Sequence, residues 1–387
     1  MLRATTVSIV HDDASRAGHE LGGELLDAMG SRPDLVLVVV SAKYEVQKVI
    51  DALAARLGPD VRIAGCSSFA EISEEGGTTE SITAMGLKVG GALRVETISA
   101  IHDGGDHRSL GKQLGEKARM HDPSLLILFP DAFLVNATEL LLGVQEVLGA
   151  SIPIVGGGAG DFAFKRTYQV HNEKVFSGGA VAAVFSGPLE IVTAARSGWK
   201  PVGATHRVNH IEKGNVILEI DGHPALDLYE KYLGNRAAEM PAISIEYPLG
   251  IVGGIRGTQK PPEGEMTLLR AVTGVDRERK ALLLSGDVPE GAEVRMTTAT
   301  KDEVIEGAID ATKRAIAALP NASCALLFDC MARKLLLGPK YRSEVTKSFE
   351  QLGDIPKFGF YTFGELSPVE GTTMYHNETF TIALLKG

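Results

Sequence analysis

The chain has 387 residues, of which 44% are hydrophobic and 23% charged, and its formal net charge is -10. This length predicts two domains with sizeable cores. An acidic chain without a Lys/Arg block is not expected to bind nucleic acid or anionic membrane as a main partner. Three cysteines at unrelated spacings give neither a disulfide framework nor a zinc pattern, and no apolar run resembles a signal sequence or a membrane helix. We therefore expect a cytoplasmic protein that does not insert directly into a membrane.

A strand and a helix, ATTVSIV and ASRAGHELGGELLDAM, open the chain, and three similar units then recur at 34 to 89, at 124 to 186 and from 323 to the end. Each unit has a short apolar run, an amphipathic helix and a second apolar run that leads into glycines and an acid. The helices are KYEVQKVIDALAARLG, NATELLLGVQEVLG and YRSEVTKSFEQLG. Such self-similarity predicts that the fold is built from repeated strand-helix-strand units.

The composition changes between the second and third units. Residues 190 to 222 alternate apolar and polar side chains with turn signals, 266 to 286 resemble a hairpin, and 301 to 320 form a clear amphipathic helix. We predict an α+β fold in which mixed sheets carry packed helices and two pseudo-related halves surround a cleft. The predicted domains are 1–200 and 201–387.

The repeats also carry polar residues at matching places. The spacing from Gly65 to Glu71 equals that from Gly359 to Glu365. In the second and third units an acid is followed about ten residues later by a His-Asn pair; the two sets are Asp161 with His171 and Asn172, and Glu365 with His376 and Asn377. An acid, an imidazole and an amide together suit the ammonium and carboxylate of an amino acid. The same pairs would equally suit a structural turn, in which they bond buried backbone.

Two further residues follow or lie on predicted strands of the third unit. Arg333, in FDCMAR, has the fork geometry that captures a carboxylate, although a surface ion pair is an equal interpretation. Tyr361 shares a strand face with Phe363 and predicts either core packing or ligand stacking. Cys330 is expected to be a small buried residue rather than a nucleophile.

Several motifs in order resemble the FIST family of sensory domains. They are IAGCSSFAEI, IPIVGGGAGD, HNEKVFSGGAVAAVF, SGWKPVGATHRV, VILEIDGHPALDLYEKYLG, YPLGI, FDCMARKLLLG, IPKFGFYTFGELSP and HNETFTIALL. The resemblance implies an intracellular sensor of a small ligand, such as an amino acid or a related metabolite. The chain shows no receiver, kinase or other output module, so the expected output acts in trans on a signalling partner.

Two alternatives stay open. The resemblance also implies haem-binding members that sense nitric oxide with a histidine kinase, in which case His376 would be the haem ligand. The residues themselves allow an enzyme that uses Glu365 and His376 as an acid-base pair, but no complete set of nucleophile, base and orienting group is evident.

Overall fold

The computed structural model describes residues 1–255, 259–261 and 265–387. It confirms the α+β class, with mixed sheets and packed helices. The predicted amphipathic helices of all three repeats are present, and each begins or ends within a few residues of the predicted bounds.

The first unit is followed directly by the second. Its elements are β1 (Arg3–Ile9), α1 (Ala14–Met29), β2 (Leu35–Ser41), α2 (Val46–Leu57), β3 (Arg62–Ser68), β4 (Ala70–Ser73), β5 (Gly76–Thr78) and β6 (Ile82–Lys88). The elements of the second unit are β7 (Arg94–Ile101), α3 (His107–Arg119), β8 (Pro123–Pro130), α4 (Ala137–Leu148), β9 (Ile154–Gly157), β10 (Gln169–His171), β11 (Lys174–Phe176) and β12 (Gly179–Ser186).

The third unit is interrupted after its first strand by an inserted sheet. The strand is β13 (Glu190–Arg196), and the insertion contains β14 (Lys200–Glu212), β15 (Val216–Ile220), β16 (His223–Pro224), α5 (Ala225–Leu233), two 3₁₀ turns (Gly234–Glu239 and Ala242–Ile245), β17 (Leu249–Ile251), β18 (Leu268–Arg270), β19 (Val272–Asp276), β20 (Ala281–Leu284) and β21 (Glu293–Thr298). The unit resumes with α6 (Lys301–Ala318), β22 (Cys324–Cys330), α7 (Met331–Leu337), a 3₁₀ turn (Gly338–Lys340), α8 (Tyr341–Leu352), β23 (Lys357–Thr362), β24 (Glu365–Val369), β25 (Thr372–His376) and β26 (Phe380–Lys386).

The three units exchange hairpins in a cycle. Their six-stranded sheets have the orders β1-β6-β2-β3-β10-β11, β7-β12-β8-β9-β24-β25 and β13-β26-β22-β23-β4-β5. Each sheet therefore consists of four strands from its own unit and a two-stranded hairpin from the next unit in the cycle, and the third sheet takes its hairpin from the first unit. The central pairs β2-β3, β8-β9 and β22-β23 are parallel, as expected for strands joined by a helix.

One core lies between the three sheets. Alternate residues of β2, β8 and β22 point into it, among them Leu37, Ile127 and Leu326. The residues between them face outward and pack against α1 and α2, α3 and α4, or α6 and α8. Both faces of the sheets are therefore covered, which explains why the strands are almost continuously apolar.

The inserted sheet has a core of its own. Its strand order runs from β18 to β19, and these two strands are separated in the chain only by Ala271, so the two ends of the order meet. Val208, Ile217 and Val294 belong to the core that it encloses. The insertion joins the three-sheet body through the segments on either side of it, at Ser197 to Trp199 and at Thr298 to Thr300.

Candidate functional site

Arg333 lies at the junction of the three-sheet body and the insertion. Its side chain is completely buried, and Nη1 donates hydrogen bonds to the backbone oxygens of Ser197 and Glu378 while Nη2 donates to that of Val304 at 2.9 Å. Ser197 immediately precedes the insertion and Val304 lies in the first turn of α6, just after it, so one guanidinium binds the backbone on both sides of the insertion.

The same guanidinium is ion-paired with two acids. Nε lies 2.9 Å from Oδ1 of Asp329, and Nη2 donates to Oε1 of Glu344. All three side chains have no exposed surface. Nη1 and Nη2 thus make four hydrogen bonds to protein oxygens, and Nε lies against Asp329 in the interior, so in this conformation the guanidinium is engaged within the protein and not open to a ligand carboxylate.

Four buried carboxyl groups interact electrostatically with Arg333. Asp329, Glu344, Glu365 and Glu378 have no exposed surface, and within the described residues both carboxyl oxygens of Glu378 have no hydrogen-bond partner. Burial raises the pKa of Glu365 to about 8 and holds the pKa values of Asp329 and Glu378 well above their ordinary range. Glu365 therefore keeps its proton at neutral pH.

Glu365 and His376 lie opposite each other on β24 and β25. Oε1 of Glu365 accepts a hydrogen bond from Thr362 Oγ1 at 2.6 Å, and Nε2 of His376 lies 3.0 Å from the backbone oxygen of Ser367. His376 is only 3% exposed, and burial lowers its pKa to about 4, so the ring is neutral. In this conformation neither residue of the predicted acid-base pair reaches solvent.

The surroundings of His376 do not fit a haem ligand. Its Nε2 is occupied by a backbone carbonyl, the ring is packed in the interior, and a haem would need a flat cavity over one ring nitrogen.

Asn377 connects the third unit to the inserted sheet. Its Nδ2 donates to Oγ of Ser285 at 3.1 Å, and its Oδ1 accepts from the backbone N–H of Ala271 at 3.3 Å. Tyr361 is completely buried, and its hydroxyl has no partner within the part of the chain that the structure describes. The structure thus brings Glu365, Arg333 and Asn377 together in a closed interior.

The strand register shows which residues of the three hairpins are equivalent. Glu71 lies opposite Phe360, Gln169 opposite Cys66 and Glu365 opposite Gly157. In each case the opposite residue follows a glycine whose added Cβ would lie within 2.1 Å of a backbone oxygen on the neighbouring parallel strand; these glycines are Gly359, Gly65 and Gly156. Gln169, rather than Asp161, therefore occupies the hairpin position that corresponds to Glu365.

Asp161 lies in the loop between β9 and β10, where it holds backbone. Its Oδ1 accepts from the N–H of Ala163, and its Oδ2 accepts from those of Lys165 and Arg166, at 2.8 to 3.0 Å. The side chain is 4% exposed. Its carboxylate thus fixes the loop.

The pair His171-Asn172, unlike His376-Asn377, borders an open groove. A cavity of about 650 Å³ lies at the end of α2 between β3, β7 and the β10-β11 turn, and His171 and Asn172 line it. Asn172 has a left-handed backbone (φ 53°), and its Oδ1 accepts from the N–H of Ile63 at 3.0 Å. Nδ1 of His171 lies 2.8 Å from Oγ of Ser99.

The groove carries charges of both signs. Arg62 forms a bidentate ion pair with Glu96, with N–O distances of 2.6 and 2.7 Å. Asp60, Glu173 and Lys174 also line the cavity and are exposed. A second cavity of about 340 Å³ shares Arg62 and Glu96 with the first. Sites of this size are typical for small molecules.

Lys334 was not singled out by the sequence, although it directly follows Arg333. Its Nζ lies 4.3 Å from the ring centre of Tyr341, 5.5 Å from that of Phe69 and 5.8 Å from that of Tyr361. Burial lowers its pKa. No sequence pattern distinguishes this lysine in the first turn of α7 from other lysines. The three rings around it come from distant parts of the chain and are brought together only by the fold.

Models of two FIST domains match the chain, a FIST N domain over residues 34–223 and a FIST C domain over residues 225–368. The chain belongs to the FIST family. FIST domains are sensory domains that bind small ligands. The division of this chain into domains at residue 200 stays a prediction.

Relatives of this FIST protein include uncharacterized protein Mb0898c of Mycobacterium bovis and uncharacterized protein Rv0628c of Mycobacterium tuberculosis. Each is 24% identical, over 378 and 377 residues respectively, and the match covers 96% of both chains in each pair. Among solved structures, the cyanuric acid hydrolase of A. caulinodans aligns over 100% of this chain and 99% of its own, at 10% identity and a TM-score of 0.33. A structure of T. maritima PurL complexed with ATP aligns over 99% and 71%, at 12% identity and a TM-score of 0.23.

Within the described ranges no helix is long and apolar enough to cross a membrane. No cluster of three or more metal-binding side chains occurs in the same part of the chain.

Proposed function

We propose that this FIST protein is a sensor whose small ligand, an amino acid or a related metabolite, binds in the groove beside His171 and Asn172, and whose output acts in trans on a signalling partner. The observation that carries the proposal is the cavity of about 650 Å³ at one of the two predicted His-Asn pairs. The other pair, His376 and Asn377, is only 3% and 2% exposed, so its side chains are closed off from solvent in this conformation.

The charges of the groove suit a zwitterion. Lys174 is exposed and can meet a ligand carboxylate, while Asp60 and Glu173 can meet an ammonium group. The bidentate pair of Arg62 with Glu96 gives the groove a rigid polar wall.

One short strand, β10, connects the groove to the loop that Asp161 holds. Strand β10 has three residues, and it directly connects the loop held by Asp161 to the turn at His171 and Asn172. Between them Gln169 is buried, and both polar atoms of its amide have no partner within the described residues. A buried amide without a partner destabilises one arrangement relative to others, so we propose that β10 shifts between two positions and that the ligand favours one.

A thermal-shift panel of the twenty standard amino acids tests the site. We expect at least one of them to raise the melting temperature of the wild type, and Lys174→Met and Asp60→Asn to weaken its binding by about tenfold or more, measured by calorimetry. The matched controls are Lys347→Met and Asp354→Asn, which replace exposed residues far along the chain from the groove. A panel without any shift, or equal losses in the controls, would refute the proposal.

A further inference from the structure

A patch of exposed apolar side chains lies on two loops of the second unit. We call it the aromatic patch; it consists of Phe133, Leu134, Phe162 and Phe164, which are 37%, 58%, 48% and 55% exposed. Large apolar residues that are exposed side by side mark surfaces for other molecules more often than single ones do.

The patch is supported from beneath by further rings. Phe363 lies 5.2 Å from Phe133 and 5.4 Å from Phe164, between ring centres, and both pairs are edge-to-face. Phe69 lies 6.0 Å from both Phe164 and Phe363. The exposed rings of Phe133 and Phe164 are thus held in place by a partly buried layer, as in a preformed binding surface.

Two buried acids fix the loops that carry the patch. Asp131 accepts hydrogen bonds from the N–H groups of Phe133, Leu134 and Gly178, at 2.8 to 2.9 Å. Asp161 does the same for its own loop, as described above. Both acids turn inward, so their negative charge is bound to backbone and does not face a partner.

Cationic side chains accompany the aromatic patch. Lys165 and Arg166 are exposed on the loop of Phe164, and Lys334, which is partly exposed, lies 5.5 Å from the ring centre of Phe69. This cationic surface stands on a chain whose net charge is -10. Its charge therefore selects against a second copy of the same acidic protein and for an acidic partner.

We propose that the aromatic patch, with Lys165, Arg166 and Lys334, is the docking surface for a partner protein, and that it binds a segment in which acidic residues alternate with aromatic or aliphatic ones. Apolar side chains of the segment would pack against Phe133 and Phe164, and its carboxylates would pair with the cations. Phe162, Phe164, Lys165 and Arg166 lie on the loop that leads into β10, which links this part of the surface to the groove. The docking chemistry of the surface does not depend on the proposed ligand.

Random dodecapeptides displayed on phage and selected on the full-length protein test this inference. We expect the selected peptides to be enriched in Asp or Glu together with Phe, Trp or Leu, and synthetic copies to bind less tightly as ionic strength rises. Binding should fall about tenfold or more in Phe164→Ser and in the double variant Lys165→Glu/Arg166→Glu. The double variant Lys313→Glu/Lys347→Glu, which reverses two exposed charges elsewhere, should bind within about twofold of wild type.

Several outcomes would overturn the inference. They are the absence of any enriched peptide, enriched peptides without acids, or equal binding to the patch variants and the control. Vesicles of phosphatidylcholine with and without phosphatidylserine are tested in parallel; binding to the anionic vesicles that is lost in the patch variants, without any peptide binding, would assign the surface to lipid instead. Circular dichroism and melting temperature check that each variant is folded.

Discussion

Glu71 and Glu365 occupy the same register position in the hairpins of two different units, and each is bound by a hydroxyl three residues earlier. Ser68 Oγ donates to Glu71 at 2.5 Å, and Thr362 Oγ1 donates to Glu365 at 2.6 Å. Burial raises the pKa of Glu71 to about 7 and that of Glu365 to about 8. The repeat thus places a buried carboxyl group with a raised pKa at the same point of two sheets, and Gln169, the neutral amide counterpart of glutamate, at that point of the third.

These acids predict that stability falls as pH rises. An unfolded glutamate releases its proton near pH 4.5, whereas Glu365 keeps its proton in the folded state to about pH 8. Between these values unfolding releases a proton, so the free energy of unfolding decreases with pH. Glu365→Gln should remove this contribution and flatten the dependence between pH 5 and 8 by up to about 1.4 kcal/mol per pH unit.

Urea unfolding at several pH values measures this slope. Glu350→Gln, at an exposed position of α8, is the control and should keep the slope of the wild type. An unchanged slope in Glu365→Gln would mean that Glu365 is ionised in the folded protein.

Arg333 is predicted to stabilise the junction with the insertion. Arg333→Met leaves Asp329 and Glu344 buried without their cation and frees the backbone oxygens of Ser197 and Val304. We expect a loss of about 3–5 kcal/mol in the free energy of unfolding, as for other broken buried ion pairs. Adding Glu344→Gln should restore part of it, because one of the two uncompensated acids is then neutral.

The control for this prediction is Arg16→Met, at an exposed position of α1, which should change stability by no more than about 0.5 kcal/mol. Chemical unfolding of the four proteins gives the comparison. A loss below about 1 kcal/mol in Arg333→Met would contradict the structural role of the guanidinium.

Helices α1 and α2 pack through a glycine. A Cβ on Gly18 would lie 2.1 Å from the backbone oxygen of Val49, whereas one on Gly23, in the same helix, would meet only the end of the Arg56 side chain at 3.5 Å. Gly18→Ala should therefore destabilise the protein by about 1–3 kcal/mol, the usual cost of overpacking. Gly23→Ala should be neutral or stabilise by up to about 1 kcal/mol, because alanine favours a helix. Thermal unfolding distinguishes them, and equal effects would show that the helices are not closely packed at Gly18.

The buried amide of Gln169 is predicted to lower the free energy of unfolding. Its amide is buried without a partner within the described residues, so Gln169→Leu, of similar volume, should raise the free energy of unfolding by about 1 kcal/mol or more. The exposed Gln113→Leu on α3 is the control and should have little effect. If the amide takes part in the shift of β10, Gln169→Leu should also reduce the response to the ligand; a destabilised variant would show that the amide is hydrogen-bonded.

Much of this architecture could be predicted from local patterns, but not the way in which the units combine. The three repeats, their helices and the matching spacing of Glu71 and Glu365 follow from periodicity, which acts within one unit. The exchange of hairpins depends on pairing between residues far apart in the chain, such as Phe360 with Glu71, and no local signal specifies it.

The candidate site could be predicted only in part for the same reason. The sequence of a His-Asn pair is the same whether the pair is buried, as at His376, or borders a groove, as at His171. The sequence indicated that Arg333 is suited to bind a carboxylate. It could not show that the guanidinium is already bonded to the backbone of Ser197 and Val304, because these residues are distant in the chain. The binding roles of these residues stay predictions.

Hydrogen exchange of the full-length protein, with and without the amino acid that gives the largest thermal shift, locates the ligand. We expect the ligand to slow exchange at the end of α2, around Ile63 and through residues 169 to 175, and to change exchange in the loop of Phe164. Protection that is confined to residues 330 to 334 and 361 to 365 would place the ligand at the Arg333 centre instead and would contradict the groove as its site.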